Sequence, residues 1–420
     1  PVGYLDFRID LSKESEERFT LISPDIGVCQ DCLSELFDRK DRRFRYPFIN
    51  CTNCGPRFTI IEEIPYDREK TTMQDFTMCE ACRKEYEAPE DRRFHAQPDA
   101  CPRCGPTISL VDNLRKALKI EDAISKTCSL LTEGRIVAIK GLGGFHLACD
   151  ATNPDAVSSL RRRKKRDDKP FALMAPSLDR IKEICEVCPE EESLLLSARR
   201  PIVLLRKRIP SPIAEEAAPK QRYLGFLLPY TPLHHLILKE SQLILVMTSG
   251  NLSDEPIARG NDEALDRLKG IADHFLTHNR RIHMRCDDSV VRVSMGHETL
   301  LRRSRGWVPE PIKLPFLFRR EILATGAELK NTFCFAKGNY AFLSQHIGDL
   351  ENLETLTFFE NSIEHFKKVF DLKPEVIAYD LHPEYLSTKY ALELASPRPE
   401  LGAKAGIPVP PFSPEDFRVE

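Results

Sequence analysis

Cys29-Gln30-Asp31-Cys32 and Cys51-Thr52-Asn53-Cys54, then Cys79-Glu80-Ala81-Cys82 and Cys101-Pro102-Arg103-Cys104, make one pattern written twice. In each half 18 residues separate the two pairs, and every cysteine recurs fifty positions later. The framing recurs too: Asp41-Arg42-Arg43-Phe44 returns as Asp91-Arg92-Arg93-Phe94, and Gly55-Pro56 as Gly105-Pro106. This is a duplicated unit. Two residues between thiols let both sulfurs of a pair reach one tetrahedral ion, and the longer arm brings in the second pair. The spacing predicts two zinc sites with Cys29, Cys32, Cys51, Cys54, Cys79, Cys82, Cys101 and Cys104 as thiolate ligands. Four thiolates leave no open position, so the sites are expected to be structural. Sequential grouping is predicted, although crossed grouping between the units fits the same spacings. A disulfide framework competes with this reading, and no secretion signal supports it.

At 420 residues the chain is expected to form two to four domains. Its 61 basic and 64 acidic residues exert no global pull toward nucleic acid or membrane. No apolar run approaches the roughly 20 residues needed to span a bilayer, which predicts a soluble, cytoplasmic chain. The other cysteines, Cys128, Cys149, Cys185, Cys188, Cys286 and Cys334, read as small packing residues, with Cys185 and Cys188 packing in a helix. Pro1 in place of Met fits a start inside a longer protein.

From about Val111, strands and helices alternate for some two hundred residues, as in an α/β sheet domain. A strand through Lys140 turns at Gly141-Leu142-Gly143-Gly144 into a second strand, whereas a phosphate-binding glycine loop would open a helix, so a dinucleotide fingerprint is weak here. Asn153-Pro154-Asp155 is a helix start. The helix is expected to run into Arg161-Arg162-Arg163-Lys164-Lys165-Arg166-Asp167-Asp168-Lys169 and to stop at Pro170. Seven of those nine residues are basic. Such a run is commonly a solvated helix end, but the buried strand Phe171 to Met174 that follows places the cations where an anion site would need them. A second buried strand ends in Thr248-Ser249-Gly250-Asn251, whose hydroxyls, glycine and amide suit a phosphate or an ordinary turn. Asp287 to Arg292 and Leu300 to Arg305 are predicted to close the sheet, with cations facing the same groove. After the linker prolines 309, 311 and 315, a third domain opens with Glu321 to Thr325. Phe333 to Ala336 and Tyr340 to Leu343 form a hairpin, Leu353 to Phe370 a helix, and Val376 to Tyr379 a strand delivering Asp380 and His382. Asp380 reads equally well as a site residue or a cap.

This order of phrases resembles the HypF family of hydrogenase maturation carbamoyltransferases from Pro24 to about Val409. To the doubled cysteine unit it adds K-x-R before Lys169-Pro170, then TSGN, Gly326-Ala327-Glu328-Leu329-Lys330-Asn331, Ser344-Gln345-His346-Ile347-Gly348-Asp349, and the phrases at Tyr46 to Asn50, Asp287 to Arg292 and Asp380 to Pro383. The resemblance implies a multidomain fold. Residues 1–22 are the linker from a missing upstream acylphosphatase domain, and 23–110 the duplicated zinc-finger region. Residues 111–313 are an open, twisted-sheet α/β domain of the YrdC kind, and 320–420 the first part of an ASKHA-type carbamoyltransferase domain whose second lobe lies beyond the chain. It further implies that carbamate from carbamoyl phosphate is adenylated with ATP and Mg2+, and that the carbamoyl group passes to the terminal cysteine of a partner, HypE. Lys164, Arg166 and Lys169 would hold the adenylate's anionic oxygens, and Ser249 and Asn251 its ribose and phosphate. Gly326, Lys330, Asn331 and Asp349 would be nucleotide and metal contacts of the third domain. Relative to free-standing YrdC proteins, Leu227 stands where an arginine is expected and Gly141 to Gly144 replaces a threonine-bearing turn. Two rivals carry their own tests: a threonylcarbamoyl adenylate synthase would release AMP in the presence of threonine, and a zinc-ribbon module gripping RNA would bind with steep salt dependence.

Overall fold

The computed structural model describes residues 21–252 and 255–395. The expected strand at the start of the chain and the segment past Ala395 lie outside these residues. Two mixed sheets carry the fold. The larger has 11 strands, with Ile108–Asp112 and His297–Arg302 at its ends and Val137–Lys140, Phe145–Asp150, Leu245–Ser249, Ala172–Met174 and Tyr223–Leu227 adjacent in that order through its middle. The middle strands are buried almost throughout, which explains why they read as unbroken apolar runs. The smaller sheet orders Ile312–Lys313, Tyr340–Leu343, Cys334–Lys337, Ile322–Ala324 and Val376–Ala378. Its hairpin forms as the sequence predicts, and the helix occupies Leu353–Phe370. The proline-marked linker contributes a strand, because Ile312–Lys313 pairs with Tyr340 and Ala341 at that sheet's edge.

The helix Pro154–Lys164 starts as expected: Asn153 accepts from the amides of Asp155 and Ala156, and Pro154 occupies the first turn. Its end differs from the prediction. Lys165 takes a left-handed conformation with φ of 51°, stopping the helix well before Pro170. The reason lies in Arg161, whose guanidinium donates to the carbonyls of Arg166 and Asp167 at 2.8 and 2.9 Å and so wraps the chain back around itself. The glycine hairpin is no phosphate cradle. A Cβ on Gly143 would sit 2.1 Å from the Cys286 carbonyl oxygen, so the turn is glycine for close packing. Cys185 lies in a short strand and Cys188 caps the helix Pro189–Leu196, which replaces the helix packing expected of that pair.

The zinc region does not depend on metal alone. Val28, Leu36, Tyr46, Phe48 and Ile49 share one apolar cluster with the large sheet's Val137, Ile139 and Leu276. Phe58 and Ile61 belong instead to the cluster of the small sheet and its long helix. The region therefore packs against both sheets. No helix among the described residues is long and apolar enough to cross a membrane.

Candidate functional site

The eight cysteines assemble sequentially, Cys29, Cys32, Cys51 and Cys54 in one group and Cys79, Cys82, Cys101 and Cys104 in the other. In the first group the Sγ atoms of Cys29 and Cys51 are 3.7 Å apart, those of Cys51 and Cys54 3.8 Å, and those of Cys54 and Cys32 3.6 Å. In the second group Cys79 to Cys101, Cys101 to Cys104 and Cys104 to Cys82 span 3.8, 3.7 and 3.6 Å. A tetrahedron with Zn–S bonds of about 2.3 Å has edges of about 3.8 Å, so the donor sets fit zinc and are far too open for disulfides. Cys29 and Cys79 each cap a helix, Gln30–Phe37 and Glu80–Glu87, whose amide end favours a thiolate.

Each unit also reaches into the other's cluster. Arg42 donates to Cys82 Sγ through both terminal nitrogens at 3.4 Å, and Arg92 donates to Cys32 Sγ at 3.1 Å. Arg42 and Arg43 pair with Glu85, and Arg92 and Arg93 with Glu35, while Asp99 sits between Arg43 and Arg93. Glu35 and Glu85 were legible as another pair fifty residues apart, although sequence reasoning did not single them out.

The K-x-R and S-x-N phrases converge. Lys164 is 1 % exposed, and its Nζ donates to Ser249 O at 2.8 Å and to Asn251 Oδ1 at 2.6 Å. Ser249 Oγ donates to the same Oδ1 at 2.8 Å, and Asn251 Nδ2 donates to Glu255 O at 2.6 Å. The lysine thus arrives from the last turn of its helix to shape the loop after a central strand. Arg166 donates to the carbonyls of Lys169 and Pro170 at 3.0 and 2.8 Å. All five residues, Lys164, Arg166, Lys169, Ser249 and Asn251, line a cleft of about 650 Å3.

The opposite lining of that cleft comes from the small sheet's loops, including Lys330, His346, Gly348 and Asp349. Asp349 Oδ1 accepts from the Lys330 amide at 2.6 Å. Burial, followed by the charge of Arg302, pushes His346 down to about 4. Gly326 and Asn331 are not among the lining residues. The Asn331 amide donates to the carbonyls of Thr325 and Ala327 at 2.9 and 2.6 Å, and a Cβ on Gly326, at φ of 73°, would lie 2.3 Å from Thr332 O. Both residues shape the turn behind the cleft. Asp380 Oδ1 accepts from the His382 amide at 2.9 Å, a turn contact on an exposed loop.

The predicted closing cations separate. Arg302 and Arg303 line the cleft. Arg292 instead lies 5.6 Å over the Tyr223 ring, and Arg305, 1 % exposed, is bound to Asp288 at 2.7 Å. Against the desolvation that would raise it, Arg305 and His146 hold the Asp288 carboxyl well below the usual range. Sequence reasoning missed Arg285, a cleft residue anchored to Glu263 at 2.9 Å, because a lone arginine in a loop carries no spacing signal. Leu227 is buried in a strand of the core rather than at the cleft.

Comparison with known proteins matches the chain to three family models. Residues 28–61 and 78–111 match the HypF finger, residues 129–304 the telomere-recombination family of Sua5, YciO and YrdC, and residues 318–403 the HypF Kae1-like domain. The chain is 48% identical over 407 residues to carbamoyltransferase HypF2 of Cupriavidus necator, covering 92% of this chain and 50% of that protein. It is 49% identical to carbamoyltransferase HypF of Synechocystis sp., covering 94% of this chain and 52% of the relative. The chain belongs to the HypF family. A crystal structure of full-length HypF in a phosphate- and nucleotide-bound form superposes with a TM-score of 0.90 at 54% identity, over 94% of this chain and 52% of that one. The HypF of T. kodakarensis superposes with a TM-score of 0.87 at 48% identity, over 89% of this chain and 50% of that one. This chain therefore spans about half the length of the HypF relatives it matches.

Proposed function

We propose that this stretch of a HypF protein takes part in S-carbamoylation for hydrogenase maturation in the cytoplasm. Carbamoyl adenylate, formed from carbamoyl phosphate-derived carbamate and ATP with loss of pyrophosphate, is held in the cleft, and its carbamoyl group passes to the C-terminal cysteine thiol of HypE as AMP and the thiol proton leave. The supporting observation is the buried Lys164 bound to both Ser249 and Asn251. It places a cation, a hydroxyl and an amide on one wall of a cleft large enough for a nucleotide. Lys164, Arg166 and Lys169 supply positive charge to the phosphate and the developing carbonyl oxyanion. Ser249 and Asn251 orient the ribose and phosphate. On the facing wall Lys330 and Asp349 would hold the nucleotide and its Mg2+, with Gly326 and Asn331 setting the loop. Magnesium, when bound, neutralises phosphate charge. The nucleophile is the partner's thiol, so no side chain of this chain needs to attack. Zinc fills the two thiolate sites as a structural ion.

The test supplies preformed carbamoyl adenylate and HypE to the chain and follows the mass of the acceptor cysteine. A carbamoylated cysteine is expected with the native chain and not with Lys164→Ala. Equal transfer by both would overturn the assignment.

A further inference from the structure

Away from the cleft, a small pocket of about 30 Å3 lies where the zinc region meets the large sheet. That is room for about two to three water-sized groups. Pro47 and Phe48 line it from the zinc region, and Lys140, Gly141, His278 and Arg280 line it from the sheet side. Lys140 ends the strand Val137–Lys140, and Arg280 follows His274–His278. These strands are parallel neighbours, so the pairing brings the two cations together.

Lys140 is 4% and Arg280 5% exposed. The Lys140 ammonium donates to the His278 carbonyl at 3.0 Å, its one side-chain hydrogen bond among the described residues. Among the described residues Arg280 makes no side-chain hydrogen bond and no ion pair, and its guanidinium lies 5.2 Å over the Phe48 ring. The carboxylate whose field reaches Arg280 is Asp25, and burial pushes that carboxyl up, toward its neutral form. Asp25 Oδ1 already accepts from the Arg57 amide and the Thr59 hydroxyl at 2.8 Å each. His278 is held neutral by burial and by the two cations. Burial, and for Lys140 also the neighbouring charge of Arg280, pulls Lys140 down to about 7 and Arg280 to about 10. Charge held away from bulk water without a counter-ion is unfavourable, and among the described residues the Arg280 guanidinium has no protein acceptor. An anion in the cavity answers both.

We infer that this cavity binds one small planar oxyanion of the carbamate or bicarbonate kind, held between Lys140 and Arg280. The cavity volume excludes a nucleotide's phosphate chain. The site adjoins the cleft: Gly141 lines the cavity, and two residues on in the same hairpin the Gly143 carbonyl accepts at 3.1 Å from the amide of Cys286, a cleft residue. A carbamate entering here would wait one loop away from the adenylate site. That last assignment rests on the proposed function, whereas oxyanion binding does not.

The test compares the thermal midpoint of the whole chain in sodium nitrate, a stable planar isostere, in sodium bicarbonate and in sodium gluconate, at constant ionic strength. Nitrate and bicarbonate should raise Tm saturably over gluconate. The rise should vanish in Arg280→Met and Lys140→Met and persist in Lys164→Met, whose lost cation belongs to the cleft. Equal Tm in nitrate and gluconate would overturn the site, as would a rise kept in the first two variants and lost in the third. If a methionine variant fails to fold, Arg280→Lys and the 13C shift of bound bicarbonate on the native chain read the same point, and an unshifted resonance would count against the site. Anion binding without carbamoyl transfer to HypE would leave the site standing and remove only its assignment to carbamate.

Discussion

Lys164 Nζ lies 2.6 Å from Asn251 Oδ1, so two phrases separated by 87 residues form a single hydrogen-bonded unit. The amide oxygen accepts from both the ammonium and the Ser249 hydroxyl, which fixes the amide nitrogen toward Glu255 O. Lys164 therefore shapes the loop as well as supplying charge.

Because the bond is shared, Lys164→Ala and Asn251→Ala should be strongly non-additive. Each alone should cost about 100-fold or more in transfer from preformed carbamoyl adenylate, and the double variant little beyond that. Lys164→Ala should also lower stability by about 1–3 kcal/mol, since buried acceptors lose their donor. Urea titration beside the transfer assay checks both, and simple additivity would mean the two residues act separately.

The arginines of each zinc unit serve the other unit's sulfurs. Removing zinc with a chelator from Arg92→Gln should be faster from the cluster of Cys32 than from that of Cys82, and Arg42→Gln should reverse the preference. A change of about 10–100-fold in affinity is expected for losing such a contact. Cadmium substitution with 113Cd NMR distinguishes the two sites. If each substitution weakens only its own unit's site, the crosswise contact is not what holds the metal.

Phe58 carries the zinc region into the core of the small sheet, its ring centroid 5.9 Å from Phe366 and 5.8 Å from His365. Phe58→Ala should destabilise by about 3–5 kcal/mol. Hydrogen exchange should rise in the helix Leu353–Phe370 while the centre of the large sheet stays protected. Uniform loss of protection would show that the sheets unfold together.

His283 Nε2 and His365 Nδ1 approach to 3.2 Å beside Glu62, Arg259, Arg281 and Lys368. Burial pushes His365 down to about 3 and lowers His283 as well. With folded values below the unfolded one near 6.5, the unfolded chain binds more protons between those limits. Stability is therefore complete above about pH 6.5 and falls as the pH drops toward 3, by at most about 1.4 kcal/mol per pH unit for each group. His365→Asn should flatten that slope in denaturant titrations between pH 6.5 and 4, and an unchanged slope would assign the acid sensitivity elsewhere.

Much of this was legible because it is local. The start at Asn153-Pro154 and the hairpin around Gly338 depend on residues within a few positions, whereas the cysteine spacings allowed both sequential and crossed grouping and the fold set the sequential one. Periodicity over one segment was enough for the helix Leu353–Phe370. The buried strand after the basic run already marked its cations as candidates for an anion site, and the resemblance picked out Lys164, Arg166, Lys169, Ser249 and Asn251 among them and their neighbours.

By itself, then, the sequence determined two four-thiol zinc units, an alternating α/β middle and a third domain, because ligand reach, capping and periodicity act over short stretches. Only the tertiary structure decided which cations face the cleft and which are locked in ion pairs. Arg303 and Arg305 stand two residues apart with opposite fates, one lining the cleft and one buried on Asp288. It also decided that Gly326 and Asn331 build a turn behind the cleft, that Lys140 and Arg280 meet at a small pocket, and that the arginines of one zinc unit reach the sulfurs of the other. These are contacts between segments far apart in the chain, set by sheet order and packing, and no local pattern encodes them.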